Sequence, residues 1–128
     1  MKASVEQVAA LVAKDFGKDD AYANPDLLRQ VKWIVAYKDG ELAGYLLYWP
    51  YETHTEGLRM GVVKHHRRKG IAVRLIKRII KIGKDTGLPY KTYAAIQNTN
   101  SINAHIKAGM LATKIDEYWF YMIAPNKC

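Results

Sequence analysis

Residues 57–73 hold the densest chemistry in the chain. An apolar, strand-like run over 57–63 leads into Lys64-His65-His66-Arg67-Arg68-Lys69-Gly70, and a helical pattern starts at once with Ile71-Ala72-Val73-Arg74. Such a turn aims backbone N–H groups outward beside a helix N-terminus, and together they make a site for an anion such as a phosphate. Gly70 allows close backbone approach, and Ala72 is too small to block a ligand lying over the first helical turn. Gly61, inside the preceding strand, is the expected place of a bulge or of close ligand approach. This is not a Walker loop, which needs Gly-Lys-Ser/Thr, and it lacks the three glycines of a dinucleotide fingerprint. His65 and His66 invite a metal reading. Neighbours on a strand point apart, however, and no carboxylate stands at ligand spacing, so no metal site is expected.

The 128 residues carry a formal charge of +8. Residues 57–115 contain 13 Lys and Arg against one acid, Asp85, a local charge of +12, while the rest holds 7 basic and 11 acidic residues. That surplus fits nucleotide phosphates, nucleic acid or a merely solvated surface. Stacking aromatics are not interleaved with the basic residues from Arg74 to Lys84, which disfavours single-stranded nucleic acid as the partner. At 49% apolar and 25% charged residues, the composition is globular and the length that of one domain, residues 1–128. No apolar run nears the roughly 20 residues that span a bilayer, so no membrane partner is expected. The first residues lack an apolar export segment, and a single cysteine, Cys128, leaves no internal disulfide or Cys-based zinc site. A cytoplasmic protein is the expectation.

The elements that must position the basic turn follow from periodicity. Ser4 caps a helix carrying Val5, Val8, Ala9, Leu11 and Val12 on its apolar side, and Asn24-Pro25-Asp26 starts a short helix through Val31. Two strands, 33–37 and 42–49, flank Asp39-Gly40, a hairpin signal. The long helix buries Ile71, Leu75, Ile76, Ile79, Ile80 and Ile82, keeps Arg74, Lys77, Arg78, Lys81 and Lys84 wet, and closes at Gly83 and Gly87-Leu88-Pro89. A strand over 90–96, a helix over 101–108 and strands over 111–115 and 118–123 complete the chain. The order predicts an α/β domain with a mixed sheet.

At the basic turn the sequence resembles the GCN5-related N-acetyltransferase family. The family's pyrophosphate motif, Arg/Gln-x-x-Gly-x-Gly/Ala, stands here as Arg67-Arg68-Lys69-Gly70-Ile71-Ala72. Its second motif, Asn-x-x-Ser/Ala followed by a helix and Gly-Phe, is similar to the run from Asn98 and Ser101 through His105 to Gly109-Met110. The resemblance covers residues 30–123. Four departures mark it: the strand that usually precedes the first helix is absent, Lys64 stands for a common proline, Met110 for phenylalanine, and His105 for the tyrosine that protonates the leaving thiolate.

The resemblance implies a mostly antiparallel mixed sheet with a splayed central strand pair and helices on both faces. It also implies acetyl-coenzyme A as cosubstrate, with no metal. The pantetheine arm would pair with the backbone of Met60, Gly61 and Val62, amides from Arg68 through Val73 would hold the pyrophosphate, Arg68, Lys69 and Arg74 would add charge, and Arg67 would belong to the same cofactor-binding set. Asn98, with Ser101, would close the cofactor site from the other side. A substrate amine would attack the thioester directly, with the Val62 N–H stabilising the oxyanion. Glu56, six residues before Val62, matches the catalytic glutamate of the family's histone-acetylating branch; Glu52, His54 and Glu117 are rivals for the base. His105 either donates the proton to the thiolate or only lines the groove. Tyr51, Glu52, His54, Glu56, Asp116 and Glu117 fall where the acceptor groove opens, which would suit a cationic amine. A non-catalytic binding module and a nucleic-acid binder remain as other readings, and a homodimer stays open.

Overall fold

A computed structural model describes residues 3–124; Cys128 lies outside them. Helix α1 (Val5–Phe16) starts from a reciprocal capping box in which the Ser4 hydroxyl accepts from the Gln7 N–H and the Gln7 side chain accepts from the Ser4 N–H. A 3-10 turn, Ala21–Ala23, and the single turn α2 (Pro25–Leu28) follow. Helix α2 ends at Leu28, short of Val31, because Val31 already leads into the first strand.

Strands β1 (Lys32–Lys38), β2 (Glu41–Pro50) and β3 (Thr55–Val62) form an antiparallel meander. Asp39 and Gly40, at φ 53° and 79°, make the tight turn between β1 and β2, which is why Asp-Gly marked it. After β3 come α3 (Ile71–Thr86), β4 (Tyr90–Ala95), α4 (Thr99–Lys107), β5 (Leu111–Lys114) and β6 (Trp119–Ile123). The sheet order is β1-β2-β3-β4-β6-β5, and only β3 and β4 run parallel. No strand precedes α1 among the described residues, and among them no helix is long and apolar enough to cross a membrane.

Helices cover both faces of this sheet. On one face Ile71, Leu75, Ile76 and Ile79 of α3 and Ile102 of α4 pack on Leu46, Tyr90 and Met122. Ile80 and Ile82 are only half-buried at the edge of that contact. Gly83 lies inside α3 rather than ending it, since a Cβ there would stand 2.7 Å from the Leu88 carbonyl; Gly87, at φ 73°, is the C-cap. On the other face Val8, Ala9 and Val12 of α1 and Leu28 of α2 pack on Tyr45 and Leu47. Helices α1 and α2 stop short of β4, β6 and β5. That half of the sheet leaves Tyr93 and Trp119 exposed.

Candidate active site

The site begins with a change of parity in β3. Leu47 faces Arg59 while Tyr48 faces Gly57, so Leu58 is an extra residue, and the bulge lies there rather than at Gly61. Beyond it Tyr45 faces Gly61, and the Val63 N–H donates to the Ala43 carbonyl (2.8 Å), so residues 59, 61 and 63 address β2. Met60 and Val62 therefore turn their backbone polar groups the other way, toward β4. Strand β4 does not meet them: the parallel pairing is confined to Thr55 with Tyr90 and Glu56 with Lys91. The last tie across is the Thr92 hydroxyl donating to the Gly57 carbonyl (3.2 Å). Past that point the two strands no longer pair, which leaves a cleft faced by the Met60 main chain and the Val62 N–H, the Val62 carbonyl being taken by Arg67, and an extended ligand can add there as a strand.

The cleft runs to the basic turn. Lys64–His66 forms a 3-10 turn, and α3 begins at Gly70, whose φ of 79° is left-handed. Gly70 gives α3 no side-chain cap, and the first helical bond is from the Arg74 N–H to the Gly70 carbonyl (3.0 Å). The amides of Ile71, Ala72 and Val73 are thus left for an anion. Arg68 is also left-handed, at φ 64°. A non-glycine residue held there stores about 1 kcal/mol or more of strain, as residues at ligand-binding loops do. Arg68, Lys69 and Arg74 are exposed around this turn. Arg67 is drawn aside: its Nε donates to the Val62 carbonyl (2.9 Å), and its guanidinium stands 3.8 Å from Asp15.

Gly61 serves a different neighbour from the one its sequence position suggests. Its N–H and carbonyl address β2, and the space where a side chain would stand is filled by the Asp15 carboxylate and by Tyr45. The Tyr45 hydroxyl donates to Asp15 (2.7 Å) across the glycine, and burial, followed by that bond to the carboxylate, pushes the phenol well above its ordinary range. Arg59 bonds Asp20 (3.0 Å) and lies over the rings of Phe16 and Tyr22, which holds the end of α1 against β3.

Glu56 sits where the strands are about to part, on the face that α1 and α2 leave partly open. Its Oε1 stands 3.1 Å from His54 Nε2, and His54 Nδ1 stands 3.1 Å from the Thr53 hydroxyl. The imidazole thus lies in hydrogen-bond contact with both the Glu56 carboxyl and the Thr53 hydroxyl. Tyr51 stacks on His54, 5.4 Å between ring centres. His54, a rival for the base by sequence, is here joined to Glu56 by that Nε2 contact. Lys91 pairs beside Glu56, and Tyr93 packs on Tyr121 (5.1 Å) further along the same face. These aromatic residues were missed in sequence, because alternation shows which residues share a face but not which face stays uncovered. Asp116 caps its own turn by accepting from the Tyr118 and Trp119 N–H groups (2.8 and 3.0 Å).

Across the cleft the Asn98 side chain accepts from the Ser101 N–H (3.2 Å) and caps α4. His105 is buried one helical turn on. Its Nδ1 lies 2.6 Å from the Ser101 carbonyl, which only accepts, so Nδ1 carries the proton. Its Nε2 is buried without a partner, and the ring stacks on Tyr90 at 6.4 Å. Burial pulls the imidazole below its ordinary 6.5, the Ser101 bond opposing. At neutral pH it is a neutral ring with a bare Nε2, whereas a general acid needs a proton there. The stabilising contribution of the neutral ring is whole above pH 6.5 and is lost as pH falls through the depressed value. The stability difference between wild type and His105→Phe is therefore expected to shrink on acidification below pH 6.5, by up to about 1.4 kcal/mol per pH unit. Urea unfolding of both proteins across that range measures it; a difference independent of pH would show that His105 is not held neutral.

The premises against a metal reading of His65 and His66 do not survive. The two lie on a 3-10 turn, not a strand, and Glu41, remote in sequence, faces both.

A sheet that opens between its two parallel strands beside an uncapped helix start is the frame of an acyl-coenzyme A transferase. The family model described as Acetyltransferase (GNAT) family matches residues 5–110, and the chain belongs to that family. Ribosomal-protein-alanine N-acetyltransferase from Brucella melitensis superposes with a TM-score of 0.75 over 96% of this chain and 94% of its own, at 15% identity. Ard1 from Thermoplasma volcanium gives 0.74 over 96% and 93%, at 16% identity. A putative acetyltransferase, YncA, from Salmonella typhimurium with its cofactor acetyl-CoA gives 0.71 over 96% and 87%, at 18% identity. No curated protein matches the chain at the sequence level.

Proposed function

We propose that the protein is an acetyl-coenzyme A-dependent N-acetyltransferase that moves the acetyl group directly onto a primary amine of a small molecule or protein. The observation that carries this reading is the cleft between β3 and β4, with the Met60 and Val62 main chain facing it and the bare amides of Ile71–Val73 at its end. The pantetheine arm pairs with Met60 and Val62 as an added strand. The pyrophosphate lies on the start of α3, with Arg68, Lys69 and Arg74 around it. Asn98 and Ser101 bound the cleft from α4.

Glu56, oriented by His54, takes the proton from the incoming ammonium, since a protonated amine has no lone pair to attack with. The neutral amine attacks the thioester carbon, and the oxyanion meets the Val62 N–H. The nitrogen gives up its second proton to solvent as collapse breaks the carbon–sulfur bond, and the thiolate takes a proton from solvent in turn. His105, buried beside Tyr90, does not donate. The acceptor enters over the open face carrying Lys91, Tyr93, Trp119 and Tyr121, where aromatic rings and Glu56 suit an amine attached to an apolar or aromatic group.

Calorimetry with acetyl-coenzyme A, followed by thiol release over a panel of amines, tests the proposal. Binding with amine-dependent thiol release is the expected result; binding without release from any amine makes the protein a binding module instead. Glu56→Gln is expected to lower turnover at neutral pH by about 10²-fold with cofactor affinity unchanged. The deficit should narrow as pH rises and more of the amine is already neutral. Full activity in Glu56→Gln would hand proton removal to another group.

A further inference from the structure

We propose that Glu41, His65 and His66 form a site for one divalent ion of the zinc class, separate from the acetyl-transfer cleft and independent of that reading. Their ligand atoms lie within 4.8 Å of one another. His65 Nε2 stands 3.2 Å from Glu41 Oε2, and His66 Nε2 stands 3.6 Å from Glu41 Oε1. A tetrahedral ion with bonds of about 2.0–2.2 Å spaces its ligand atoms about 3.3–3.6 Å apart, and measured to the single oxygen Glu41 Oε1 the separations are 3.4 Å from His65 Nε2 and 3.6 Å from His66 Nε2.

The second observation is the state of His66. It is 2% exposed, and neither ring nitrogen has a hydrogen-bond partner. A buried polar group left in that state costs about 1–3 kcal/mol. At 3.6 Å the approach to Glu41 is too long for a hydrogen bond, and an ion between the two supplies the missing partner. Glu41 and His65 keep side-chain exposures of 56% and 61%, so water reaches the remaining coordination position. Two imidazoles with one carboxylate suit Zn²⁺ or Co²⁺ rather than Mg²⁺ or Ca²⁺, which take oxygen ligands.

The fold brings these groups together for local reasons. The Asp39-Gly40 turn makes Glu41 the first residue of β2. The bond from the Val63 N–H to the Ala43 carbonyl brings the end of β3 beside that start. The 3-10 turn then swings consecutive imidazoles to the same side, 4.2 Å between ring centres. The bound ion ties the β2 hairpin to the turn that enters the basic loop.

Metal-stripped full-length protein titrated with Zn²⁺, and with Co²⁺ followed by its visible ligand-field bands, tests the site. One ion per chain is expected, with a rise in melting temperature and no response to Mg²⁺. Glu41→Gln and His65→Gln, both at exposed positions, should each weaken binding by at least about tenfold, while Cys128→Ser leaves it unchanged. Absence of stoichiometric binding, wild-type affinity in both ligand variants, or loss of binding in Cys128→Ser would each overturn the proposal. The readout is the ion itself, so failure here says nothing against acetyl transfer, and failure of acetyl transfer nothing against the ion.

Discussion

Gly70→Glu is expected to weaken acetyl-coenzyme A binding at least about 100-fold in a chain that still folds. Gly70 is exposed, and a Cβ there meets nothing within 4 Å, so the substitution creates no clash. Its φ of 79° adds about 1–2 kcal/mol of backbone strain for any side chain. The larger effect is electrostatic. A carboxylate at the uncapped start of α3 occupies the amides that a phosphate would use, and it repels the phosphate as well. A loss of two decades corresponds to about 2.8 kcal/mol. Gly70→Ala isolates the strain, since it carries the same φ without the charge, and should stay within tenfold of wild type. Calorimetry on both variants decides the matter. Wild-type affinity in a folded Gly70→Glu protein would move the pyrophosphate away from this helix.

Gly61→Val is expected to destabilise the fold by about 3 kcal/mol or more. The new side chain enters the space held by Asp15 and by the buried Tyr45 ring, whose hydroxyl and Cε1 stand 2.6 and 2.7 Å from the Cβ position. Asp15 is on the surface of α1 and can swing away, but Tyr45 is 1% exposed and cannot. Overpacking of this kind costs about 1–3 kcal/mol, and parting the Tyr45 hydroxyl from Asp15 leaves a buried donor unmet at a further 1–3 kcal/mol. Tyr45→Phe in the Gly61→Val background should recover part of the loss, because it removes that donor. Urea unfolding of the single and double variants is the measurement. Near wild-type stability in Gly61→Val would mean that the α1 end yields more easily than its contacts indicate.

The local elements were written in the sequence because their causes are local. Ser4 with Gln7 starts α1, Asp39-Gly40 turns the first hairpin, and the spacing of Ile71, Leu75, Ile76 and Ile79 sets the buried side of α3. Each depends on residues within a turn or two of one another, and each stands within a residue or two of where periodicity placed it. The basic turn with Gly70, and Asn98 with Ser101 ahead of α4, were legible for the same reason. They are contiguous, and their roles as bare helix start and helix cap need no distant partner.

What sequence left undetermined depends on contacts between segments far apart along the chain. The extra residue in β3 is Leu58 because of how β3 registers against β2, and a bulge belongs to a pair of strands rather than to one. Gly61 is small for Asp15 and Tyr45, 46 and 16 residues away by the numbering, not for a ligand. His105 is neutral because α4 folds it into the core beside Tyr90. Glu41 meets His65 and His66 only because a hairpin and a 3-10 turn converge. By itself the sequence determined the elements, the basic turn before an uncapped helix start and the family. The tertiary structure alone decided which side chains share a space, because register and burial are set by strand pairing and helix packing that no local pattern records.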